Sequence, residues 1–481
     1  MGTHYDVVIV GAGLSGIGAA YYIQEKCKNK SYTVLEARQR MGGTWDLFKY
    51  PGLRSDSDMY TFGFPFHPWK DPKAIADGPS ILRYINDTAQ TFGIDKKIQF
   101  GHRVVATAWD SHEKKWTLTI RTQGNEELKT IDCSFLLMCC GYYNYQEAYT
   151  PEFKGLENFK GKVLHPQFWD TEMDYSHKEI VVIGSGATAV TLVPELAKKA
   201  KKVTMLQRSP TYMMNLPSED AFANFLKRIL PKTWAAKVVR WKNILLSILI
   251  YSWSRKSPKT LKKLLLKGVK KTLGDQYSEE DFNPRYNPWD QRLCLVPDDD
   301  FFTAMKSGKA AVVTDTIINF HDNAIETKNG QRLPADIIIT ATGLKIQLLG
   351  GATVSVDGKA ISTAELLAYR GVMFSGIPNF AVAIGYTNAS WTLKCDLNCR
   401  YIVKVLNHMQ AHKKSVVYPE FDPNQFEVER LLDFDAGYIL RAKDILPKQG
   451  SKAPWKVHQN YLKDLLALHY GKVDDPYLIY H

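Results

Sequence analysis

The sequence predicts an α/β protein built from two dinucleotide-binding units with a helical insertion. Three observations predict it. YDVVIVGAGLSG (residues 5–16) and KEIVVIGSGATA (178–189) each run an apolar strand into a glycine-rich turn and a helix. Each is followed by a second apolar strand, SYTVLE or KVTMLQR. More than a hundred residues, many of them basic, then separate KVTMLQR from the next strand of its unit, DIIITATG at 336–343. A chain of 481 residues is long enough for two or three domains.

In order, the first unit reads as a strand, a tight turn and a helix to about Lys26, then the strand ending at Glu36. Residues 103–138 alternate apolar and polar positions, as in an antiparallel meander returning to a parallel sheet. The second unit repeats the design from Lys178. IPNFAVAIGY is expected to rejoin the first sheet, followed by a long helix from about Thr392. The expected division is 1–145 with 375–481, 150–215 with 290–374, and an insertion at 216–289. Both units then read as Rossmann-like, doubly wound folds.

The net charge of +12 is concentrated in one place. Between Ala221 and Gly274 there are fourteen Lys or Arg and no acid. Within that tract Leu261, Leu265, Val269 and Leu273 fall near one helical face with lysines opposite. Two readings stand: a lid packed by its apolar face, or a surface for peripheral membrane contact through 221–274. The apolar run Ile244–Trp253 is too short to span a bilayer. With no signal-peptide pattern, a cytoplasmic protein is expected. Seven cysteines without metal-ligand or CxxC spacing argue against a disulfide framework and a metal site. Adjacent Cys139 and Cys140 read as inert core thiols. No nucleic-acid reader is recognisable.

The glycine turns carry the chemistry. Gly11 permits the turn, Gly13 lets backbone approach a pyrophosphate, Gly16 lets helix and strand pack, and Glu36 is placed to bond ribose hydroxyls. The second turn, Gly184, Ser185, Gly186, Ala187, Thr188 and Ala189, belongs to a unit whose next strand ends in Gln207 and Arg208 instead of an acid. Arginine there suits a 2′-phosphate, hence NADP(H), although it also reads as a surface residue. Two such sites imply hydride traffic between two cofactors, and NADPH to flavin is the usual pairing.

Two further stretches carry a family resemblance. GGTWDLFKYPGLRSD, residues 42–56, resembles the pattern [A/G]-G-x-W-x-x-x-x-[F/Y]-P-[G/M]-x-x-x-D of type I Baeyer–Villiger monooxygenases at every fixed position. FKGKVLHPQFWD, residues 159–170, resembles their second fingerprint through Phe159, Gly161, His165, Trp169 and Asp170. RSDSDMYTFGF, MLQRSPTY, YNPWDQRLCLVP, GYTNASWTLK and KQGSKAPW extend the resemblance over nearly the whole chain. They look closest to the branch containing the mycobacterial monooxygenase that activates thioamide prodrugs such as ethionamide.

The resemblance implies an FAD enzyme that uses NADPH and O2. Through a C4a-peroxyflavin it would convert ketones to esters or lactones, and it would oxygenate sulfides and thioamides. Arg292 would be the catalytic cation, with Asp56 orienting it; an acid near a developing anion makes sense only as its partner. Ser15, Glu36, Thr44, Trp45, Asp46, Leu47 and Val104 occupy family positions around FAD. Arg54, Thr188, Gln207 and Arg208 are the NADP(H) candidates. Trp391 reads equally as a pocket wall or a core residue. His165 invites a general-base reading, but its place between the units favours a structural and hinge role. The competing functions are an oxygenase restricted to nitrogen and sulfur, a flavin reductase or NADPH oxidase, and a disulfide reductase. The last is disfavoured because no redox-active cysteine pair is expected beside the flavin. A membrane-binding protein with a vestigial cofactor site is the rival outside enzymology.

Overall fold

The computed structural model describes residues 3–124, 127–291, 293–432 and 437–481. Strand β1 (Thr3–Val10) ends in four buried aliphatic residues and leads through Gly11 into α1 (Leu14–Lys26). β2 (Tyr32–Glu36) pairs parallel to β1. The short helices α2 (Thr44–Leu47) and α3 (Met59–Phe62) follow, then α4 (Gly78–Thr91), which is capped by the Asp77 carboxylate accepting from Ser80 N–H. β3 (Ile98–Phe100) extends the parallel pairing at β2. β4 (His102–Asp110), β5 (Lys115–Thr122) and β6 (Leu128–Met138) form the expected meander, and β6 returns parallel to β1.

The chain leaves the first sheet along β7 (Tyr143–Ala148). The second sheet contains β8 (Lys162–Leu164) and β9 (Glu179–Ile183), followed by α5 (Ala187–Ala197) and β10 (Lys202–Gln207). β11 (Tyr212–Leu216) precedes the insertion, whose helices are α6 (Ala221–Ile229), α7 (Lys232–Lys256) and α8 (Pro258–Leu273). Next come α9 (Glu279–Phe282), β12 (Leu293–Pro297), parallel to β11, and α10 (Asp300–Lys306). β13 (Ala310–Thr314) joins the second sheet, and β14 (Ile317–His321), β15 (Ala324–Thr327) and β16 (Arg332–Pro334) form a separate antiparallel sheet. β17 (Ile337–Thr340) completes the parallel order β13-β10-β9-β17-β8. β9 and β17 read as near-continuous apolar runs because the strands are covered on both faces.

The return to the first sheet comes earlier than the expected boundary at 375. β18 (Leu344–Ile346) pairs antiparallel with β7, and β19 (Thr353–Val356) already lies beside β4 in the first sheet. β19 turns through Asp357-Gly358 into the two-residue β20 (Lys359–Ala360). Strands this short carry too few alternations to show a period. Phe380–Val382 joins β6 as expected, and α11 (Trp391–Ala411) packs on α1.

The insertion touches both units. Ala235, Val239 and Ile244 of α7 enter the core of the first, and Arg240 donates to the carbonyls of Tyr60, Thr61 and Gly63. The predicted α8 face is buried: Leu261 and Leu265 pack with Tyr212, and Val269 and Leu273 join the second unit's core.

The fingerprint stretch 159–170 supplies the edge strand β8 and then grips both crossings between the units. Nε2 of His165 lies 3.1 Å from the carbonyl of Gly343, which leads into β18. Its Nδ1 accepts from Gln167 N–H at 3.1 Å, so Nε2 carries the proton and the ring is the neutral tautomer. Burial pushes its pKa below the ordinary 6.5, which favours that form. The Gln167 side chain donates to Asn144 O of β7 at 2.9 Å, and Thr342 Oγ1 donates to Tyr149 O at 2.7 Å. Phe159 is buried beneath β17, Trp169 packs at the edge of the second core, and Asp170 pairs with Lys162 at 2.6 Å.

Gly161 has no room for a side chain: a Cβ there would meet Asp336 O and lie 2.6 Å from the Phe159 ring. Gly161→Ala should therefore destabilise the protein by about 1–3 kcal/mol. Thermal unfolding measures it, and an unchanged Tm would show that β8 yields without cost.

Candidate active site

Both glycine turns open on one cavity of about 570 Å³. The first unit contributes Gly11, Gly13 and Ser15, and the second contributes Ala187, Thr188 and Leu295. Gly16, expected among the cofactor contacts as well as at the helix–strand packing, does not line the cavity; it is buried in α1 where a Cβ would collide with Gly11 O, so it lets the helix lie close against the end of the strand.

Glu36, at the end of β2, is buried and reaches back to the first turn. Its carboxylate accepts from Ala12 N–H at 2.8 Å and from Arg38 N–H at 2.9 Å. Burial raises its pKa, opposed by those two hydrogen bonds. Thr44, Trp45, Leu47 and Val104 also line the cavity. Asp46, expected among the cofactor contacts, has another role. Its side chain is buried beside Arg38 at 2.6 Å, Arg40 at 3.2 Å and Lys49 at 3.5 Å, and Arg38 also donates to the carbonyls of Gly43 and Asp46. The carboxylate fixes the turn from behind while its neighbours face the cavity.

The segment that continues from this turn crosses to the second unit. Tyr50 lines the cavity and its hydroxyl bonds to Thr188. Gly52, at φ 76°, sits against α5, where a Cβ would lie 2.8 Å from Thr191 O. The Arg54 guanidinium pairs with Asp300 of α10, and both Arg54 and Asp56 line the cavity. Arg292 lies outside the described residues, so its expected pairing with Asp56 does too.

In the second unit Gly184 abuts Ala341 O, Ser185 Oγ donates to Ser209 O at 3.1 Å, and Gly186 is the N-cap of α5. Ala189 is a buried core residue. Gln207, expected at NADP(H), is buried and its amide donates to Asp281 O and Thr314 Oγ1, both at 2.8 Å. It braces β10 against β13 and α9. Arg208, the next residue, is exposed at the strand end.

A second, smaller cavity of about 110 Å³ shares Tyr142 and Trp391 with the first. Ile346, Phe374, Ile439 and Leu446 make it apolar. Trp391 begins α11, donates to Ser15 Oγ at 3.0 Å and stacks on Tyr142 with ring centroids 5.2 Å apart. It is a wall between the cavities. On the same wall, buried Lys394 pairs with Asp464 at 3.0 Å, and Tyr386 donates to that carboxylate at 2.6 Å. Cys139 and Cys140 also border the large cavity, so a cysteine pair does stand there. Burial holds Cys139 well above the ordinary thiol range and pushes Cys140 up to about 12, which leaves neither as a ready thiolate.

The flavin-binding monooxygenase-like family matches residues 5–415. The FAD-containing monooxygenase EthA of Mycobacterium tuberculosis is 51% identical over 477 residues, covering 99% of this chain and 97% of the relative. The probable FAD-binding monooxygenase AlmA of an Acinetobacter species is 47% identical, with 99% and 96% covered. The chain belongs to the flavin-binding monooxygenase-like family. Among solved structures, an oxidized steroid monooxygenase bound to NADP superposes with a TM-score of 0.79 at 19% identity, with 99% of each chain covered. The polycyclic ketone monooxygenase of Thermothelomyces thermophila gives 0.78 at 17%, with 100% and 90% covered. The family, the two-unit fold and the flavoprotein monooxygenase class expected from the sequence are borne out.

The cavity of this flavin-binding monooxygenase-like chain fits a large anionic dinucleotide. Gly11 and Gly13 bring backbone to the cavity at the first turn, and Arg54 Nη2 is buried at the cavity wall without a hydrogen-bond partner among the described residues. At the start of α11 the side-chain oxygens of Asn388, Ser390 and Thr392 are likewise buried and without a partner among the described residues, and no acid occupies the first helical turn. That end of the helix favours negative charge. Arg38, Tyr50 and Tyr145, whose hydroxyl lies 3.4 Å from Thr44 Oγ1, also line the cavity and were not singled out as site residues in the sequence. Arg38 follows Glu36 by two positions, which was a usable signal; Tyr145 carried none.

Asp46→Ala should cost about 1–3 kcal/mol, because it strips a buried carboxylate from Arg38, whose own side chain is partly solvated. It should also loosen flavin. Thermal unfolding and flavin content after gel filtration test this, and native values for both would remove Asp46 as the anchor of the turn.

Proposed function

We propose that the protein is an FAD monooxygenase that uses NADPH and O2 to insert oxygen beside the carbonyl of apolar ketones, and that it also oxygenates sulfides and thioamides. The observation that carries this is the single cavity on which both glycine turns end, walled by the GGTWDLFKYPGLRSD segment. The 51% identical relative is a FAD-containing monooxygenase and the solved neighbours are monooxygenases named for steroid and polycyclic ketone substrates, which supports the reading.

FAD, when bound, supplies the redox chemistry, taking hydride from NADPH and activating O2 so that one oxygen atom reaches the substrate and the other leaves as water. The chain's own groups do the rest. Glu36, anchored by two backbone donors, has lone pairs left for ribose hydroxyls. Ser15, Thr44, Trp45 and Leu47 line the flavin side, and the start of α11 offers positive potential. Thr188 and Arg54, which line the cavity, are read as the NADP(H) contacts, and exposed Arg208 as the partner of a 2′-phosphate. The apolar annex beside Trp391 takes the substrate and keeps water from the reacting atoms. By resemblance, Arg292 is assigned as the cation that holds developing negative charge and Asp56 as the carboxylate that orients it.

NADPH and O2 consumption with a panel of ketones, sulfides and thioamides, with product analysis, tests the reading. Ketones should give esters or lactones matched to NADPH oxidised, and Arg292→Ala should lower ketone oxidation by about 10²-fold or more. NADPH oxidation without oxygenated product from any substrate would leave a flavin reductase or oxidase. Products from nitrogen and sulfur compounds alone would restrict the enzyme to heteroatoms.

A further inference from the structure

Helix α7 buries one face and leaves the opposite face uncovered. Trp234, Val238, Trp241, Leu245 and Leu249 are spaced i, i+4, i+7, i+11 and i+15, which aligns them in one stripe. All five are exposed, Trp234 to 62% and Leu249 to 66%. α6 packs against α7 and presents Phe222, Phe225 and Ile229, also exposed, at i, i+3 and i+7. Exposed apolar and aromatic side chains aligned along two packed helices mark an interaction site.

Charge selects the partner. Among the fourteen cations of 221–274, Lys227, Arg240, Lys242, Arg255 and Lys262 are engaged with the body of the protein or with neighbouring groups: Lys227 with Asp71 O, Lys242 with Asp220, Arg255 with Asp290, Lys262 with Pro284 O. Arg228, Lys232, Lys237 and Lys256 remain exposed along α6 and α7, and Lys237 lies 5.6 Å over the Trp234 ring. A second copy seated on this face would bring two acid-free, lysine-rich surfaces together, and like charges would oppose it. An anionic surface is attracted instead. No helix among the described residues is long and apolar enough to cross a membrane, so the contact is peripheral.

We propose that the α6–α7 face docks on the surface of a bilayer containing anionic phospholipid. The Trp, Phe and Leu side chains enter the boundary between headgroups and acyl chains while the flanking Lys and Arg meet phosphates. This does not rest on the proposed reaction.

Flotation of the full-length, FAD-loaded protein with vesicles of phosphatidylcholine alone, or of phosphatidylcholine mixed with phosphatidylglycerol, tests it. The protein should float with the mixed vesicles and far less with phosphatidylcholine, and added salt should weaken the binding. The variant Trp234→Ser/Leu245→Ser/Leu249→Ser and the variant Lys232→Glu/Lys237→Glu should each bind roughly tenfold more weakly or worse. Since these side chains face solvent, thermal unfolding and NADPH oxidation without vesicles should match the native protein. Absence of native binding to the mixed vesicles would overturn the proposal. So would native-strength binding by either variant, or a native dimer that the serine variant converts to monomer while neither form floats.

Discussion

The mutual placement of the two nucleotide-binding units depends on how the two chain crossings between them are held. β7 leaves the first unit and β18 returns to it, and the two pair as an antiparallel ribbon. A two-stranded ribbon alone is marginal in water. It is held from the second unit by His165 on Gly343 O and Gln167 on Asn144 O, one bond to each crossing. The imidazole contributes only as the neutral ring, accepting at Nδ1 while donating at Nε2, and burial keeps it so. The residues around it serve that grip. Phe159 and Trp169 seat the segment in the second unit, and Gly161 lets it lie close to Asp336 O.

The other long motif makes a second bridge. Its first glycines and Asp46 fix a turn beside the first glycine turn, and its end carries Tyr50 to Thr188, Gly52 to α5 and Arg54 to Asp300. One motif therefore contacts both glycine turns. The insertion adds a third bridge, with α7 on the first core and α8 on the second. The cavity lies where these bridges converge, which is why its lining comes from distant parts of the chain.

Much of this was legible in the sequence because it follows from local pattern. The glycine turns, the apolar strands VVIV and EIVVI, the meander and the buried face of α8 all have short-range periods that a reader can count. Asp46 and Gln207 were misjudged for one shared reason: sequence places a residue next to a site but does not say which way its side chain turns. Asp46 turns toward three cations, and Gln207 toward β13 and α9. The early return at β19 was hidden because four residues hold too little pattern. Lys394, Asp464 and Tyr386 converge from separated segments, a partnership that only folding creates.

His165 tests the central claim most directly, since a clamp and a proton carrier predict different losses on its replacement. In His165→Ala, product formed per NADPH consumed and the pH–rate profile should be measured together on the flavin-loaded enzyme. If the residue holds the two units in register, product per NADPH falls and peroxide release rises, while the pH–rate profile keeps its shape. Native coupling with the clean loss of one titrating group from the profile would contradict the account and make His165 an acid–base residue.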